Sequence, residues 1–353
     1  MRKMLIICAS LLFASTCFAE SQKAPDFSSD AVWLDSGSKV PHSIKGYRGR
    51  VLLVDFWEYT CINCIRDISI LKRWYAKYRP FGFEIVGVHD GEFAMGYSVD
   101  NVRRAAKRLQ LPWPVVADIH GSIWNAYKSR VWPNRFLVDQ SGNIVLHVEG
   151  EAGNQEMESK IRELLEPGHP EISKIPEEPS ENALAPQCGS TTDETYVGDW
   201  LGRGALENLQ HYRDGSVVDF KPSQEPHDGG VMLAGKWQTD RDGVTSADKK
   251  GGNASLRYHA RSVYAVLSVE NPKKPVRLYV LQDEKPLTTD DAGADVKFDP
   301  LGSYIEVSEP RMYYVIRNPS SGSHLLVLNA QGGGLALHSF TYGNDCQQDF
   351  APL

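Results

Sequence analysis

Two cysteines three residues apart, Cys61 and Cys64, lie between the apolar run V-L-L-V-D-F-W (residues 51–57) and a stretch with helical spacing, and this placement constrains the chain more than any other feature. A continuous apolar run of that length is expected for a strand buried on both faces of a sheet. Beyond it, Ile65, Ile68, Leu71, Tyr75 and Tyr78 recur three to four residues apart up to Pro80, which predicts an amphipathic helix opening at the cysteines. Structural zinc asks for four ligands, and no second C-x-x-C or short-spaced histidine pair lies in this half of the chain. A cross-link within C-x-x-C closes so little chain that it restricts the unfolded state only weakly. A helix N-terminus, by contrast, stabilises a thiolate through its dipole and free N–H groups. The placement therefore favours redox exchange, with Cys61 as an exposed nucleophile of depressed pKa and Cys64, one turn in, as the resolving thiol.

The strand and helix patterns keep alternating to Glu166. F-E-I-V-G-V-H reads as a second buried strand, and V-D-N-V-R-R-A-A-K-R-L as a helix capped by Ser98 or Asp100. S-I-W-N-A-Y is a short helical piece. R-F-L-V-D and I-V-L-H-V are strands joined at Q-S-G-N, and E-M-E-S-K-I-R-E-L-L-E is a last helix. The order β-α-β-α-β-β-α makes residues 20–166 a compact α/β unit. Residues 167–194 carry five prolines and many charges, the composition of an extended, semi-rigid linker. Over residues 195–353 helical spacing disappears, and short runs such as S-V-Y-A-V-L-S-V and H-L-L-V-L-N-A alternate with turn residues. That pattern predicts an all-β sandwich or jelly roll.

Residues 1–19 have a short basic start, an apolar run from Met4 to about Phe13 and small residues ending at Ala19, the layout of a secretory signal peptide. The run is too short to span a membrane, which takes about 20 apolar residues. The expectation is an exported, periplasmic protein that is soluble after cleavage. Losing Arg2 and Lys3 makes the formal charge of −7 more negative by two, and with no Lys/Arg cluster there is no electrostatic basis for binding nucleic acid. Cleavage also removes Cys8 and Cys17. The four remaining cysteines, in an oxidising compartment, suggest two disulfides, and of the three connectivities Cys61–Cys64 with Cys188–Cys346 is favoured. Cys188 precedes the β segment and Cys346 follows it, so their bridge would clamp that domain.

V-L-L-V-D-F-W-E-Y-T-C-I-N-C resembles the active-site segment of thioredoxin-fold proteins, and V-W-P-N-R-F-L-V-D-Q-S-G-N the segment carrying their cis-proline. Together with F-E-I-V-G-V-H-D-G-E-F and N-V-R-R-A-A-K-R-L, residues from about 27 to 165 resemble the DipZ-like branch of the TlpA-like thioredoxin family. The β segment, from E-T-Y-V-G through R-M-Y-Y-V-I-R to H-S-F-T-Y-G, fits the same branch, whose members carry a C-terminal sandwich resembling carbohydrate-binding modules. The resemblance implies a thioredoxin fold followed by an all-β sandwich and a thiol–disulfide oxidoreductase without a cofactor other than the Cys61–Cys64 disulfide. It implies Asp55 as proton acceptor for Cys64, Pro133 as the cis-proline, and Trp57, Thr60 and Trp132 as substrate contacts. The partners it implies are protein thiols and disulfides, a separate membrane electron donor if the chain is a reductase, and a glycan as a candidate ligand of the β domain. Two departures stand out. Ile62-Asn63 separates the cysteines where relatives have Gly-Pro or a histidine pair, so the direction of electron flow is not legible, although reduction is expected. Larger DipZ-like proteins begin with a membrane domain where this chain has a signal peptide.

Glu58 and Asp67 flank the cysteines and could tune them, but solvated side chains are the commoner outcome for such positions. The P-x-x-x-[ST]-x-x-C setting of a peroxidatic cysteine is absent around Cys61. Trp200, Trp237, Tyr258, Tyr304, Tyr313 and Tyr314 are expected to pack strands in preference to stacking on sugars. Asp290, Asp291, Asp295 and Asp299 read as a solvated turn in preference to a calcium loop. The competing functional class is a cell-envelope glycan- or protein-binding protein built on an inactive thioredoxin scaffold.

Overall fold

The computed structural model describes residues 22–34, 40–179, 185–198, 204–208, 215–222 and 224–347. The segment read as a signal peptide, and Trp200, lie outside them. The first half runs β1 (Val32–Trp33), β2 (Val51–Trp57), α1 (Ile62–Tyr78), β3 (Phe83–His89), α2 (Val99–Arg108), β4 (Val115–Ala117), α3 (Ser122–Ala126), β5 (Asn134–Val138), β6 (Ile144–Glu149) and α4 (Asn154–Leu165). Six strands form one sheet in the order β1-β4-β3-β2-β5-β6, with β2, β3 and β4 parallel and the other pairings antiparallel. This is the α/β fold anticipated, with β2 at its centre and Val51–Trp57 buried throughout. Sequence patterning missed β1 and β4, whose two and three residues are too short for any periodicity to register.

Helix α1 departs from a one-faced pattern. Arg66, Asp67, Ile70 and Trp74 are buried along with the expected stripe. The reason lies in the second half of the chain, where Tyr264 and Met312 join the same apolar core as Ile62, Ile65 and Leu71. The helix is thus covered by the sheet on one side and by the β domain on another.

The proline-rich segment is also less extended than its composition suggests. Residues Pro170–Lys174 form a 3-10 turn that inserts Ile172, fully buried, into the first domain's core. Glu178 then pairs with Arg73 at 2.5 Å and with Lys77, and its N–H donates to Glu158 at 2.8 Å. One isoleucine and one carboxylate fasten the start of the segment, which a reading by composition alone cannot detect. Ile172→Ala should lower stability by about 2–5 kcal/mol, read as a drop in urea midpoint at unchanged slope.

The second half is all-β: β7 (Thr195–Tyr196), β8 (Val217–Phe220), β9 (Val231–Asp240), β10 (Gly243–Ser246), β11 (Asn253–Val269), β12 (Val276–Gln282), β13 (Lys285–Pro286), β14 (Val296–Asp299), β15 (Gly302–Val307), β16 (Arg311–Ala330) and β17 (Leu335–Gly343). The long strands β11 and β16 run antiparallel with register shifts near Ala260 and Val263. Strand β11 also pairs with β17 and with β9, so the sheet folds back on itself around a single apolar core. Cys188 and Cys346 are bonded, with Cα atoms 5.1 Å apart, joining the segment before β7 to the one after β17. Trp237, Tyr258 and Tyr313 are buried in this core, Tyr304 is nearly so, and Tyr314 packs against the first domain. Among the described residues, these rings serve to hold strands together. Asp295 grips Arg311 at 2.6 and 2.9 Å, and Asp299 takes Arg277 at 3.0 Å and Tyr279 at 2.7 Å. Among the described residues, no group of three or more His, Cys, Asp or Glu side chains is placed to hold a metal.

Candidate active site

Strand β2 ends at Trp57 and α1 begins at Ile62, so the intervening residues carry Cys61 to the helix N-cap. There the Cys61 sulfur accepts the backbone N–H of Cys64 at 3.2 Å, meeting one of the donors that a helix start leaves without an intrahelical partner. Cys61 keeps part of its surface open, whereas Cys64 is buried and neither is bonded to another cysteine. The expectation of a depressed Cys61 pKa needs correction. Burial pushes the thiol up, the hydrogen bonds with Cys64 pull it partly back, and the charges of Glu92 and Glu194 push it further up. Burial raises Cys64 well above the ordinary thiol value, with the neighbouring Cys61 adding to it.

Asp55 lies in β2, almost wholly buried, with one carboxylate oxygen lacking any hydrogen-bond partner. Burial raises its pKa to about 7, and Arg135, its register partner on β5, opposes the rise. Arg135 has no exposed surface. It faces Asp67 at 3.3 Å, donates to Asn154, and donates to the carbonyls of Gly150 and Ala152 at 3.1 and 2.6 Å. Asp67 is itself buried and raised to about 8, first by desolvation. It is not the solvated neighbour of the thiols that its position suggests, because it sits on the inward stripe of α1 with Ile68 and Leu71. Its position on that stripe was the available sign, and Arg135 inside an apolar strand was the second.

Glu58 overturns the solvated reading as well. It is fully buried, and one oxygen accepts both the N–H and the hydroxyl of Thr60. The other oxygen faces His89 at 3.5 Å, and His89 stacks on Tyr59. The carboxylate thus fixes the residue that precedes Cys61. Thr60 and Trp57, expected to touch substrate, are instead buried at 2% and 1% exposure, so neither side chain offers a surface to a bound polypeptide. Trp132 is half-buried and precedes Pro133 across a cis peptide bond, and its ring lies 4.6 Å from that of Trp124.

The β domain reaches this site, which patterning within one segment could not show. Arg66 of α1 lies over the Tyr264 ring, 5.4 Å from its centroid, and pairs with Glu151 at 3.4 Å. The loop after β3 is held from both sides. Tyr59 donates to the Met95 carbonyl at 3.0 Å, the Ala94 N–H donates to Asp242 at 2.6 Å, Tyr196 donates to Glu92 at 2.5 Å, and Phe93 packs on His338 at 5.3 Å.

Comparisons with known proteins divide the chain in the same way. Residues 21–147 match the AhpC/TSA family, and residues 192–343 match a family described as the thioredoxin like C-terminal domain. Protein DipZ of Mycobacterium tuberculosis is 32% identical over 329 residues, 91% of this chain and 43% of that protein. The chain thus spans less than half the length of that relative. The thiol-disulfide oxidoreductase ResA of Geobacillus thermodenitrificans is 28% identical over 45% of this chain and 85% of its own. Among solved structures, the thioredoxin domain of a thiol-disulfide oxidoreductase from Bacteroides vulgatus is 22% identical, covering 42% of this chain and 98% of that one with a TM-score of 0.33. Among the described residues, no helix is long and apolar enough to cross a membrane.

Proposed function

From a chain homologous to Protein DipZ across both of its domains, we propose a thiol–disulfide oxidoreductase acting on protein substrates through Cys61 and Cys64. The observation that carries this reading is the pair itself: a partly open sulfur at the N-cap of α1, and a buried sulfur one turn in, on which the charge of the buried Asp55 acts. In the reductive direction, the Cys61 thiolate attacks one sulfur of a substrate disulfide and expels the other as a thiolate. Cys64 then loses its proton to Asp55 and attacks the Cys61 sulfur. The second substrate thiolate leaves, so the substrate has gained two electrons, and Cys61 and Cys64, which gave them up, are left joined as a disulfide. A carboxyl near pH 7 is well matched to accepting that proton.

The finer parts of the reading rest on the same footing. Residues 1–19 act as an export signal, residues 20–166 as the redox domain, 167–194 as the connection and 195–353 as a recognition module. The working direction is reduction, with electrons from a separate membrane donor, and the Cys188–Cys346 bond is structural. Pro133 presents the preceding backbone to a substrate strand. A glycan as ligand of the β domain draws nothing from Trp237, Tyr258 and Tyr313, which are buried in the core.

Cys64→Ser tests the reading directly. It leaves the first attack intact and removes the second, so incubation with a disulfide-bonded protein should accumulate a covalent adduct on Cys61, seen by mass spectrometry and dispersed by dithiothreitol. No adduct, with Cys61→Ser turning over as fast as the parent chain, would leave the β domain as the working part.

A further inference from the structure

Beside the cis-proline, the two domains enclose a cleft of about 740 Å³ whose walls include Trp124, Trp132 and Arg130 from the first domain and Arg241 from the tip of the β9–β10 hairpin. Its wall leads to the site through Trp132, which lines the cleft and is joined to Pro133 by the cis peptide bond. The aromatic pair forms an apolar seat, and the Trp132 indole N–H has no hydrogen-bond partner. Exposed apolar side chains gather here too: Tyr97 lines the cleft at 43% exposure, and Val131 adjoins Trp132 at 37%.

The charges are asymmetric in availability. Glu92 is bonded to Tyr196, Asp242 accepts from Ala94, and Asp90 is buried. Arg130 and Arg241 are exposed, and among the described residues neither has an ion-pair partner, although the chain as a whole is acidic. Two free guanidinium groups from opposite domains, lining the same cleft as a tryptophan pair, suit a polypeptide that offers a bulky apolar side chain next to a carboxylate.

We infer that this cleft seats the substrate: an extended polypeptide passing between the domains, its apolar residue on Trp124 and Trp132 and its acidic residues against Arg130 and Arg241. The β domain then selects substrates by supplying one of the two cations. This inference rests on the oxidoreductase reading above.

Two short peptides test it. Each carries a cysteine disulfide-linked to 2-nitro-5-thiobenzoate close to a tryptophan, and they differ only in having two glutamates or two lysines beside that tryptophan. Attack of the Cys61 thiolate on the peptide sulfur expels 2-nitro-5-thiobenzoate as its coloured thiolate. Cys64 then attacks the Cys61 sulfur, expels the peptide thiolate and forms Cys61–Cys64, which dithiothreitol reduces for the next cycle. The readout is the ratio of kcat/KM for the two peptides within each protein, which a loss of folded material cancels. The full chain should favour the glutamate peptide by about tenfold, and Arg130→Glu/Arg241→Glu should abolish or invert the ratio. A ratio near one in the parent chain, or a ratio that survives the charge reversal, would overturn the inference. If the double variant is inactive, rising salt on the parent chain decides: collapse of the ratio supports the seat, and persistence overturns it. Failure of the oxidoreductase reading looks different, since neither peptide would then release its chromophore faster than with Cys61→Ser.

Discussion

Asp55→Asn should slow steady-state disulfide reduction by about 10²–10⁴-fold while leaving the first covalent step nearly intact, because only the second step needs a proton acceptor beside Cys64. Rapid mixing with a chromogenic disulfide should show the burst preserved and the following turnover suppressed. The same substitution should make the protein more stable at alkaline pH. The folded-state pKa of Asp55, about 7, lies above its ordinary 3.8, so the folded chain holds a proton that the unfolded chain has released. Stability therefore falls as pH rises from about 4 to 7 and then levels off, and Asp67, raised to about 8, extends that window upward. Asparagine mimics the protonated form and removes the Asp55 share of the loss. At pH 8 the variant should exceed the parent chain by on the order of 2–4 kcal/mol in urea unfolding, and at pH 4 the two should nearly coincide. A variant as pH-sensitive as the parent would mean that Asp55 is charged throughout and that another group takes the proton. Activity and stability thus pull this carboxylate in opposite directions.

Arg135→Met should be among the most destabilising single changes in the first domain, at about 3–5 kcal/mol. The guanidinium has no contact with solvent. Its charge opposes the rise in pKa of both Asp55 and Asp67, and it satisfies two carbonyls and Asn154 besides. Methionine fills much of the volume but leaves those acceptors unmet. Without the opposing cation both carboxyls should titrate still higher, so the fall in stability, which begins near the unfolded-state value, should extend to higher pH in the variant. A loss below about 1 kcal/mol would show that water or a moved side chain replaces the guanidinium.

How far the fold could be read depended on whether the signal was local. Strand β2, helix α1 and the C-x-x-C pair announce themselves within residues 51–78, because one buried strand and one helical stripe are patterns of adjacent positions. Strands β1 and β4 are too brief to have a pattern. Ile172 looked like part of a polar segment, since a single buried side chain does not change a composition. Glu58, Asp67 and Arg135 were misread or passed over for a different reason: a charge is assigned to solvent by default, and only its partners from distant strands reveal that it is inside. The pKa of Cys61 was set wrong in direction for the same cause. The helix N-terminus is visible in the sequence, but the burial that chiefly raises the thiol, and the charges of Glu92 and Glu194 that add to it, come from elsewhere in the chain. Nothing in either domain alone predicts the cleft between them.

The loop after β3 has an evolutionary consequence. Its residues Glu92, Phe93 and Ala94 touch Tyr196, His338 and Asp242, while Met95 and Gly96 touch the segment that carries Cys61. A recognition module that hung from a tether could be exchanged between lineages like a cartridge. Here a graft would inherit a mismatched seam, with Phe93 deprived of its histidine and Tyr196 of its carboxylate. The two halves are therefore bound to change together, because a change on the β domain's side of the seam reaches the same few residues that hold this loop against the segment carrying Cys61.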